Sequence, residues 1–139
     1  MALNTRTSET LDNAKLDSTK ALFDSGWIDI YDSTGAGQPA TPETAISTQI
    51  LIASLRFAAT AFPAAVTRVA TANTIVSGTA VATKTATWCR IYQSNHTTVL
   101  CDGSVGTAAS NIVLNAVDIV TGATVSCSAY TRTSPMQGA

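Results

Sequence analysis

The residue types that carry covalent catalysis are scarce in this sequence. His96 is the one histidine among 139 residues, and the three cysteines are Cys89, Cys101 and Cys127. Attack by a serine or cysteine needs a base within hydrogen-bond reach, and the polar residues 93–97 place His96 at a loop tip between two predicted strands. We interpret His96 as a solvated turn residue, with a Cys–His pair as the alternative. The cysteines are odd in number, form no C-x-x-C pair and lie in apolar runs, which predicts free, buried and reduced thiols.

Acidic and glycine-rich segments offer little support for other site chemistry. Asp32 and Asp102 lie in sequences typical of turns, where an aspartate often bonds its own backbone. The tetrahedral Cys/His spacing of a zinc site is absent, as is the oxygen-rich run of a calcium loop. Gly35-Ala36-Gly37 lacks the lysine of a phosphate-binding loop and the third glycine of a dinucleotide fingerprint. We therefore expect a protein that is not an enzyme, with no catalytic residue, no metal site and no cofactor.

The aromatic side chains indicate more about function than the acidic and glycine-rich segments do. They are spaced along predicted strands, where they could stack on a sugar or pack in a core. Both faces of the strand predicted at residues 85–92 carry apolar groups, which indicates that one face meets the core and the other meets a neighbouring subunit. A long loop between two predicted strands contains two further candidates for contact with a partner. The predicted partner contacts are Trp27, Tyr31, Gln38, Pro39, Trp88 and Tyr92.

Composition points to a surface that suits protein contact. Charged residues make up 12% of the chain, and the net charge is -1, so no overall field favours nucleic acid or anionic lipid. The exposed surface must then be covered by threonine, serine and alanine, which lose little rotamer entropy when fixed by a partner. The most apolar stretch, residues 57–66, contains Pro63 and is shorter than the roughly 20 residues of a membrane span. We expect neither a nucleic-acid nor a membrane partner, and no secretory signal is visible.

The first third of the chain predicts a terminal segment, a strand and a long loop. Ser8 is a candidate N-cap for a helix over residues 5–23, but the apolar stripe is thin, so a helix and an extended arm both stay open. Residues 27–31 alternate in polarity and predict a strand. The irregular stretch that follows runs from Gly35 to about Ser47. A loop of this length in a small domain is usually functional or supported by a partner.

The rest of the chain predicts short strands separated by turns. Residues 49–57 predict a strand, and residues 58–72 are ambiguous between a strand pair and a short helix. Asp102-Gly103 and Thr121-Gly122 are typical of tight turns. Further candidate strands are residues 85–92, 98–101, 111–115 and 124–131.

These elements predict an all-β, single-domain antiparallel β-sandwich, of which a jelly roll is one form, preceded by a short helical or extended N-terminal segment. The predicted divisions are an N-terminal arm or helix at residues 1–25, the β-sandwich at 26–135 and a C-terminal tail at 136–139.

Six segments of the sequence together carry a resemblance to a known family. They are GWIDIYD at 26–32, QPATPETA at 38–45, LIASLRF at 51–57, TATWCRIY at 85–92, DGSVG at 102–106 and IVTGATV at 119–125. These segments resemble small proteins encoded among the head genes of tailed bacteriophages. In such proteins the turn after the tryptophan-bearing strand is often Asp-Gly. Asn95-His96 stands in that place here, although His adopts the left-handed conformation less readily.

The resemblance implies a virion structural protein, made in the cytoplasm of the bacterial host. Members of this kind bind the outer capsid surface as decoration or cement subunits and stabilise the shell. The implied partners are the major capsid protein and further copies of the chain, with a trimer favoured and a dimer as the alternative. The N-terminal segment and the loop over residues 32–47 are the candidates for reaching a neighbour.

Two other functions stay open at this point. A carbohydrate- or receptor-binding β-sandwich module of a phage tail or fibre would use exposed aromatic rings and turn carboxylates. A small hydrolase would depend on His96 and scattered carboxylates alone. Loss of glycan binding in Trp27→Ala or Trp88→Ala would favour the first, and retained function in His96→Ala would remove the support for the second.

Overall fold

The computed structural model describes residues 6–33 and 37–134, in which one short helix is followed by β-strands. Helix α1 spans Glu9–Thr19 and leads into a 3₁₀ turn at Lys20–Phe23. The predicted fold class, a single all-β domain with a short N-terminal helical segment, is confirmed. The strands are β1 (Trp27–Tyr31), β2 (Leu51–Arg56), β3 (Val69–Thr71), β4 (Gly78–Thr79), β5 (Lys84–Thr85), β6 (Trp88–Tyr92), β7 (Val99–Gly106), β8 (Ile112–Leu114), β9 (Asp118–Ile119), β10 (Thr124–Val125) and β11 (Cys127–Thr133).

Seven strands form one sheet in the order β2-β1-β6-β7-β8-β11-β3. Neighbouring strands are antiparallel except β7 and β8, which run parallel. The register places Asp29 opposite both Ser54 on β2 and Arg90 on β6, and Arg90 opposite Asp102 on β7. Side chains of directly opposed residues share a sheet face. One row of polar side chains therefore crosses four adjacent strands.

Alternation along the central strands separates the core from the outer face of the sheet. Ile28 and Ile30 of β1 are fully buried, as are Cys89 and Ile91 of β6. Because successive strand residues point to opposite faces, the intervening residues of both strands point away from this core. Each large apolar side chain buried in this way contributes roughly 1.5–3 kcal/mol to folding. The inner face therefore supplies the hydrophobic core.

Two short ladders form a ribbon beside β2. β10 pairs with β4, and β5 pairs with β9. Val81 N donates to Ile52 O (2.7 Å), and Val76 N donates to Arg56 O (2.7 Å), so the chain leading into and out of β4 runs along β2. β10 continues into β11 on the far side of the sheet. The ribbon therefore joins the two ends of the curled sheet.

The curl makes distant strands face each other across one core, as the two layers of the predicted sandwich do. Phe57, just after β2, lies 5.9 Å from the ring of Tyr130 on β11. Phe62 contacts both rings, and Phe23 contacts Phe57 and Phe62 in edge-on geometry. Offset and edge-on arrangements of this kind are the favoured contacts between aromatic rings. The cluster ties the N-terminal segment, through Phe23, to the sheet.

Helix α1 begins at the predicted cap and is held by a buried carboxylate. Ser8 Oγ accepts a hydrogen bond from Leu11 N (3.1 Å), which confirms the N-cap. The Asp12 side chain is fully buried and accepts from Thr7 Oγ1, Arg68 Nε and Ser134 Oγ. Burial alone would raise the pKa of Asp12, but these hydrogen bonds and Lys15 lower it below its ordinary value. Asp12 thus joins both ends of the described chain to the turn that contains Arg68.

One of the two predicted tight turns needs correction. Asp102-Gly103 is not a turn, because both residues lie within β7. A Cβ on Gly103 would lie 3.3 Å from Asn111 Cβ, so the glycine permits close packing instead of a turn. Thr121-Gly122 is a turn as predicted, with φ of +90° at Gly122 and Ala123 N donating to Val120 O.

The ambiguous stretch 58–72 is neither a helix nor a full strand pair. It is irregular up to β3, which is preceded by a tight turn in which Val66 and Val69 exchange backbone hydrogen bonds. Thr67 and Arg68 adopt φ of +53° and +62° there, a conformation that non-glycine residues rarely take. The predicted C-terminal tail, 136–139, and residues 34–36 of the predicted loop lie outside the described residues.

Asp12→Asn should destabilise the protein in a pH-dependent manner. The folded-state pKa of Asp12 lies below the ordinary value of 3.8, so the carboxylate stabilises the fold above about pH 4, and this contribution is lost as the pH falls through the folded-state pKa. Urea unfolding at pH 7, 5 and 3 should give a stability difference from the parent that narrows at pH 3. Asp118→Asn, at an exposed position, is the control. A difference that is the same at all three pH values would contradict this role.

Candidate functional site

The outer face of the sheet carries four of the six predicted contact residues. Trp27 and Tyr31 on β1 and Trp88 and Tyr92 on β6 alternate with core residues, and the register pairs Trp27 with Tyr92 and Tyr31 with Trp88. Strand periodicity places the two aromatic residues of each strand on one face, and the register brings both pairs to the same face of the sheet. The face has a covered end and an open end, which differ in exposure and chemistry.

Tyr31 and Trp88 form the covered end. Their rings stack 4.8 Å apart, and they are 6% and 1% exposed. Trp88 Nε1 donates to the backbone oxygen of Asp32 (3.2 Å), and burial raises the pKa of the Tyr31 hydroxyl well above its ordinary range. A partner could touch these two side chains only if the segment that covers them moved.

A buried ion pair lies next to this stack. Arg90 Nε and Nη2 donate to the two carboxylate oxygens of Asp102 at 2.7 and 2.9 Å, and the two side chains are 2% and 5% exposed. The guanidinium also donates to the backbone oxygens of Thr41 and Thr44 at 3.3 and 2.6 Å. The hydrogen bonds that Arg90 donates to Asp102 raise the pKa of Arg90 against the effect of burial. The pair thus fixes part of the loop at residues 37–49 over the sheet.

The loop presents the other two predicted contact residues at the surface. Gln38 is exposed and Pro39 is partly exposed. The loop is closed at its base by Gln49, which is 8% exposed, donates to Gly37 O and accepts from Ser47 N. The sequence drew attention to this loop by its length, but it gave no sign that a strand arginine holds it.

Trp27 lies in a stack at the open end of the face. Arg56 approaches its ring from the β2 side, with the guanidinium carbon 4.5 Å from the ring centroid. The imidazole of His96, which follows β6, stacks at 4.6 Å with the planes 7° apart. Tyr92 meets His96 edge-on at 5.3 Å. The guanidinium of Arg56 and the imidazole ring of His96 therefore leave Trp27 half-buried.

His96 is not the solvated turn residue that we expected. It lies in the turn after β6 with φ of +58°, but its Nε2 is 2.9 Å from both oxygens of Asp29, and its side chain is 36% exposed. The buried Asp29 carboxylate also accepts from Ser54 Oγ (2.7 Å). A buried carboxylate must be hydrogen-bonded, and this requirement draws the imidazole back onto the sheet. The sequence does not reveal this pair, because its members are 67 positions apart.

The order of these three groups differs from that of a nucleophilic triad. In a triad the imidazole lies between the hydroxyl and the carboxylate, so that it can take the hydroxyl proton. Here Asp29 lies in the middle, and Ser54 donates to the carboxylate. This arrangement orients the imidazole without activating Ser54. That the protein is not an enzyme stays a prediction.

The cysteines are free thiols whose surroundings suppress the thiolate form. Cys89 is buried, whereas Cys101 and Cys127 are partly buried. Burial raises the pKa of all three thiols, and the thiolate is the nucleophilic form. The expectation of full burial holds for Cys89 alone. Among the residues that the structure describes, no three His, Cys, Asp or Glu side chains are grouped so that they could hold a metal ion.

The ribbon exposes a surface that the sequence analysis did not single out. In residues 79–85 exposed Thr and Val side chains alternate with less exposed Ala and Lys. The ribbon is anchored from beneath, because Ala80, Ala86, Ile119 and Val125 belong to the core. The period-two pattern TAVATKT could have predicted this alternation of exposed and less exposed positions. We define the ribbon surface as the exposed residues Thr79, Val81, Thr83, Thr85, Asp118, Val120, Thr121, Gly122, Ala123 and Thr124.

An open groove borders the ribbon surface. Its volume is about 610 Å³, and Thr83, Thr85 and Val120 line it on the ribbon side. Asp32 and Lys84 also line it, with Lys84 Nζ 3.9 Å from Asp32 Oδ2. The groove wall therefore combines hydroxyl and aliphatic side chains with three ionisable ones, Asp32, Lys84 and Asp118.

Comparison of the chain with protein-family models, curated proteins and solved structures finds no match. The resemblance to phage head proteins therefore stays a prediction. Within residues 6–33 and 37–134, no helix is both long enough and apolar enough to cross a membrane.

Alkylation should distinguish the three thiols in the folded protein. Since burial raises their pKa values, iodoacetamide at pH 8 should leave Cys89 unmodified and should label Cys101 and Cys127 at least about tenfold more slowly than in denaturant. Peptide mass spectrometry after timed quenching measures each site separately. Labelling of Cys89 in native protein at the denatured rate would show that the thiol is accessible and reactive.

Proposed function

We propose that this chain is a non-enzymatic structural protein of a tailed-phage virion, which binds the outer capsid surface as a decoration or cement subunit. The observation that carries the proposal is the ribbon surface, whose exposed residues are Thr, Val, Ala and Gly with Asp118 as the single ionisable one. Lys84, with a side chain 37% exposed, borders this surface at the groove. Thr and Val lose little rotamer entropy when a partner fixes them. Their rigid β framework also removes most of the cost of ordering backbone at an interface.

The charge pattern of the ribbon supports a protein partner. Asp118 already accepts a hydrogen bond from Thr85 Oγ1 (2.8 Å), so binding at this surface would desolvate little unpaired charge. The net charge of -1 provides no attraction to nucleic acid or anionic lipid. We propose the major capsid protein as the partner and further copies of this chain as neighbours, with a trimer favoured over a dimer.

The mechanism of such a subunit is mass action. A protein that binds the assembled shell and not its dissociated subunits stabilises the shell by its binding free energy, which is repeated at every site. No side chain needs to react. A surface with few charges and a fixed shape is sufficient for this role.

The alternative, a carbohydrate- or receptor-binding module of a tail or fibre, has weaker support from the aromatic residues. Arg56 and His96 contact the ring of Trp27, and Trp88 is 1% exposed and stacked on Tyr31. A sugar-stacking platform needs a free ring face. Neither tryptophan offers a fully open one.

Binding to capsids tests the proposal directly. Purified protein should bind expanded capsids of its phage to a fixed stoichiometry and raise their disruption temperature, as measured by sedimentation and by fluorescence of released DNA. Recovery of the native protein with tails, or with no virion fraction, would contradict the proposal.

Val81→Lys tests the ribbon surface as the contact. Val81 is 65% exposed, so lysine should be tolerated in the free protein but should place an unpaired charge in the interface and weaken capsid binding about tenfold or more. Val66→Lys is the matched control, because Val66 is 68% exposed and lies in the turn before β3. Equal affinities of the two variants would exclude the ribbon surface as the contact.

A further inference from the structure

We propose that the turn at residues 41–44 is a second recognition element, which Arg90 holds in place and which presents Glu43 to a cationic side chain of the partner. This inference rests on the proposed function, because the partner we name is the capsid protein. It concerns a different part of the surface from the ribbon. Its two components, the positioning of the turn and the recognition by Glu43, can be tested separately.

The turn has the sequence Thr41-Pro42-Glu43-Thr44 and the geometry of a β-turn. Thr44 N donates to Thr41 O (3.1 Å), and the two threonine hydroxyls are 3.0 Å apart. Proline at the second position of such a turn has its backbone dihedral already fixed. Glu43 follows it at the tip, is exposed and is the one ionisable residue in the loop sequence 37–49.

The loop around the turn is held by polar contacts. Most of its residues are exposed, so it buries little apolar surface of its own. The guanidinium of Arg90 instead donates to the oxygens of both Thr41 and Thr44, which are the first and last residues of the turn. One buried side chain therefore fixes both ends of the segment that carries Glu43.

The turn at residues 41–44 is held by a buried ion pair and not by apolar packing. Replacing a buried ion pair by apolar residues of similar volume often leaves a protein equally stable or more stable. Stability alone therefore does not require Arg90 and Asp102, which are 2% and 5% exposed. A guanidinium can hold two carbonyl oxygens in fixed directions, which no apolar side chain does. The pair thus determines the conformation of an exposed turn.

A fixed, exposed carboxylate at the tip of a turn suits recognition of a cation. Ordering the turn before binding removes an entropic cost at the interface. A rim charge of this kind mainly affects association rate, salt dependence and partner selection. The structure therefore points to a Lys or Arg side chain of the capsid protein opposite Glu43.

The double variant Arg90→Met with Asp102→Leu tests the positioning role. A glutamate-specific protease can cut the chain after Glu9 and Glu43, the only two glutamates, so cleavage after Glu9 provides an internal reference. We expect cooperative unfolding to be retained and cleavage after Glu43 to rise about tenfold relative to cleavage after Glu9. Arg90→Lys, which keeps the charge but cannot span both carbonyl oxygens, should give a smaller rise. Unchanged cleavage after Glu43 in both folded variants would overturn the positioning role.

Glu43→Gln tests the recognition role, with Glu9→Gln as the matched control because both glutamates are exposed. Glu43→Gln should weaken binding to expanded capsids about threefold to tenfold at low salt and reduce its salt dependence, whereas Glu9→Gln should change neither. If the parent binds capsids and Glu43→Gln binds equally well, this inference fails and the proposed function stands. If the parent does not bind capsids, the proposed function fails, and the recognition role fails with it.

Discussion

A guanidinium group that is removed from water must find an acceptor for each of its N–H directions, and this requirement governs the outer face of the sheet. The register of β6 and β7 places Arg90 opposite Asp102, which satisfies one edge of the group. The remaining donors meet the oxygens of Thr41 and Thr44. The loop therefore returns over the sheet at Arg90, and its turn at residues 41–44 is tied to the outer face.

Local patterns in the sequence predicted the elements whose signals lie within a few residues. Alternation over Trp27–Tyr31 was sufficient for β1. Ser8 marked the correct start for α1, but the thin apolar stripe left open whether a helix forms there. Such local patterns do not predict which distant segments pair with each other. From the sequence alone, Asp102 resembles a turn residue, and only the structure shows that Arg90 lies opposite it. His96 likewise resembles a solvated residue, and only the structure shows that it contacts Asp29. The candidate site was predicted in part, since its aromatic residues follow strand periodicity while the Arg90–Asp102 pair depends on register.

The same physical chemistry gives the two candidate contact regions different properties. The ribbon surface is rigid because its inner side chains, such as Ile119 and Val125, lie in the core, and it is nearly uncharged. The turn at 41–44 is rigid because a buried arginine holds its carbonyl oxygens, and it carries one charge. A broad neutral surface supplies contact area, and a single placed charge supplies orientation. Under the proposed function, both properties would serve a subunit that docks in one register on a repeating shell.

The most direct measurement is a cryo-electron microscopy reconstruction of the intact virion at a resolution that traces side chains. We predict density for this fold on the outer surface of the shell, with the ribbon surface facing the major capsid protein and Glu43 beside a basic residue of that protein. Density for the chain on a tail or fibre, or on the shell with the ribbon surface facing solvent, would contradict the proposed function or the proposed contact.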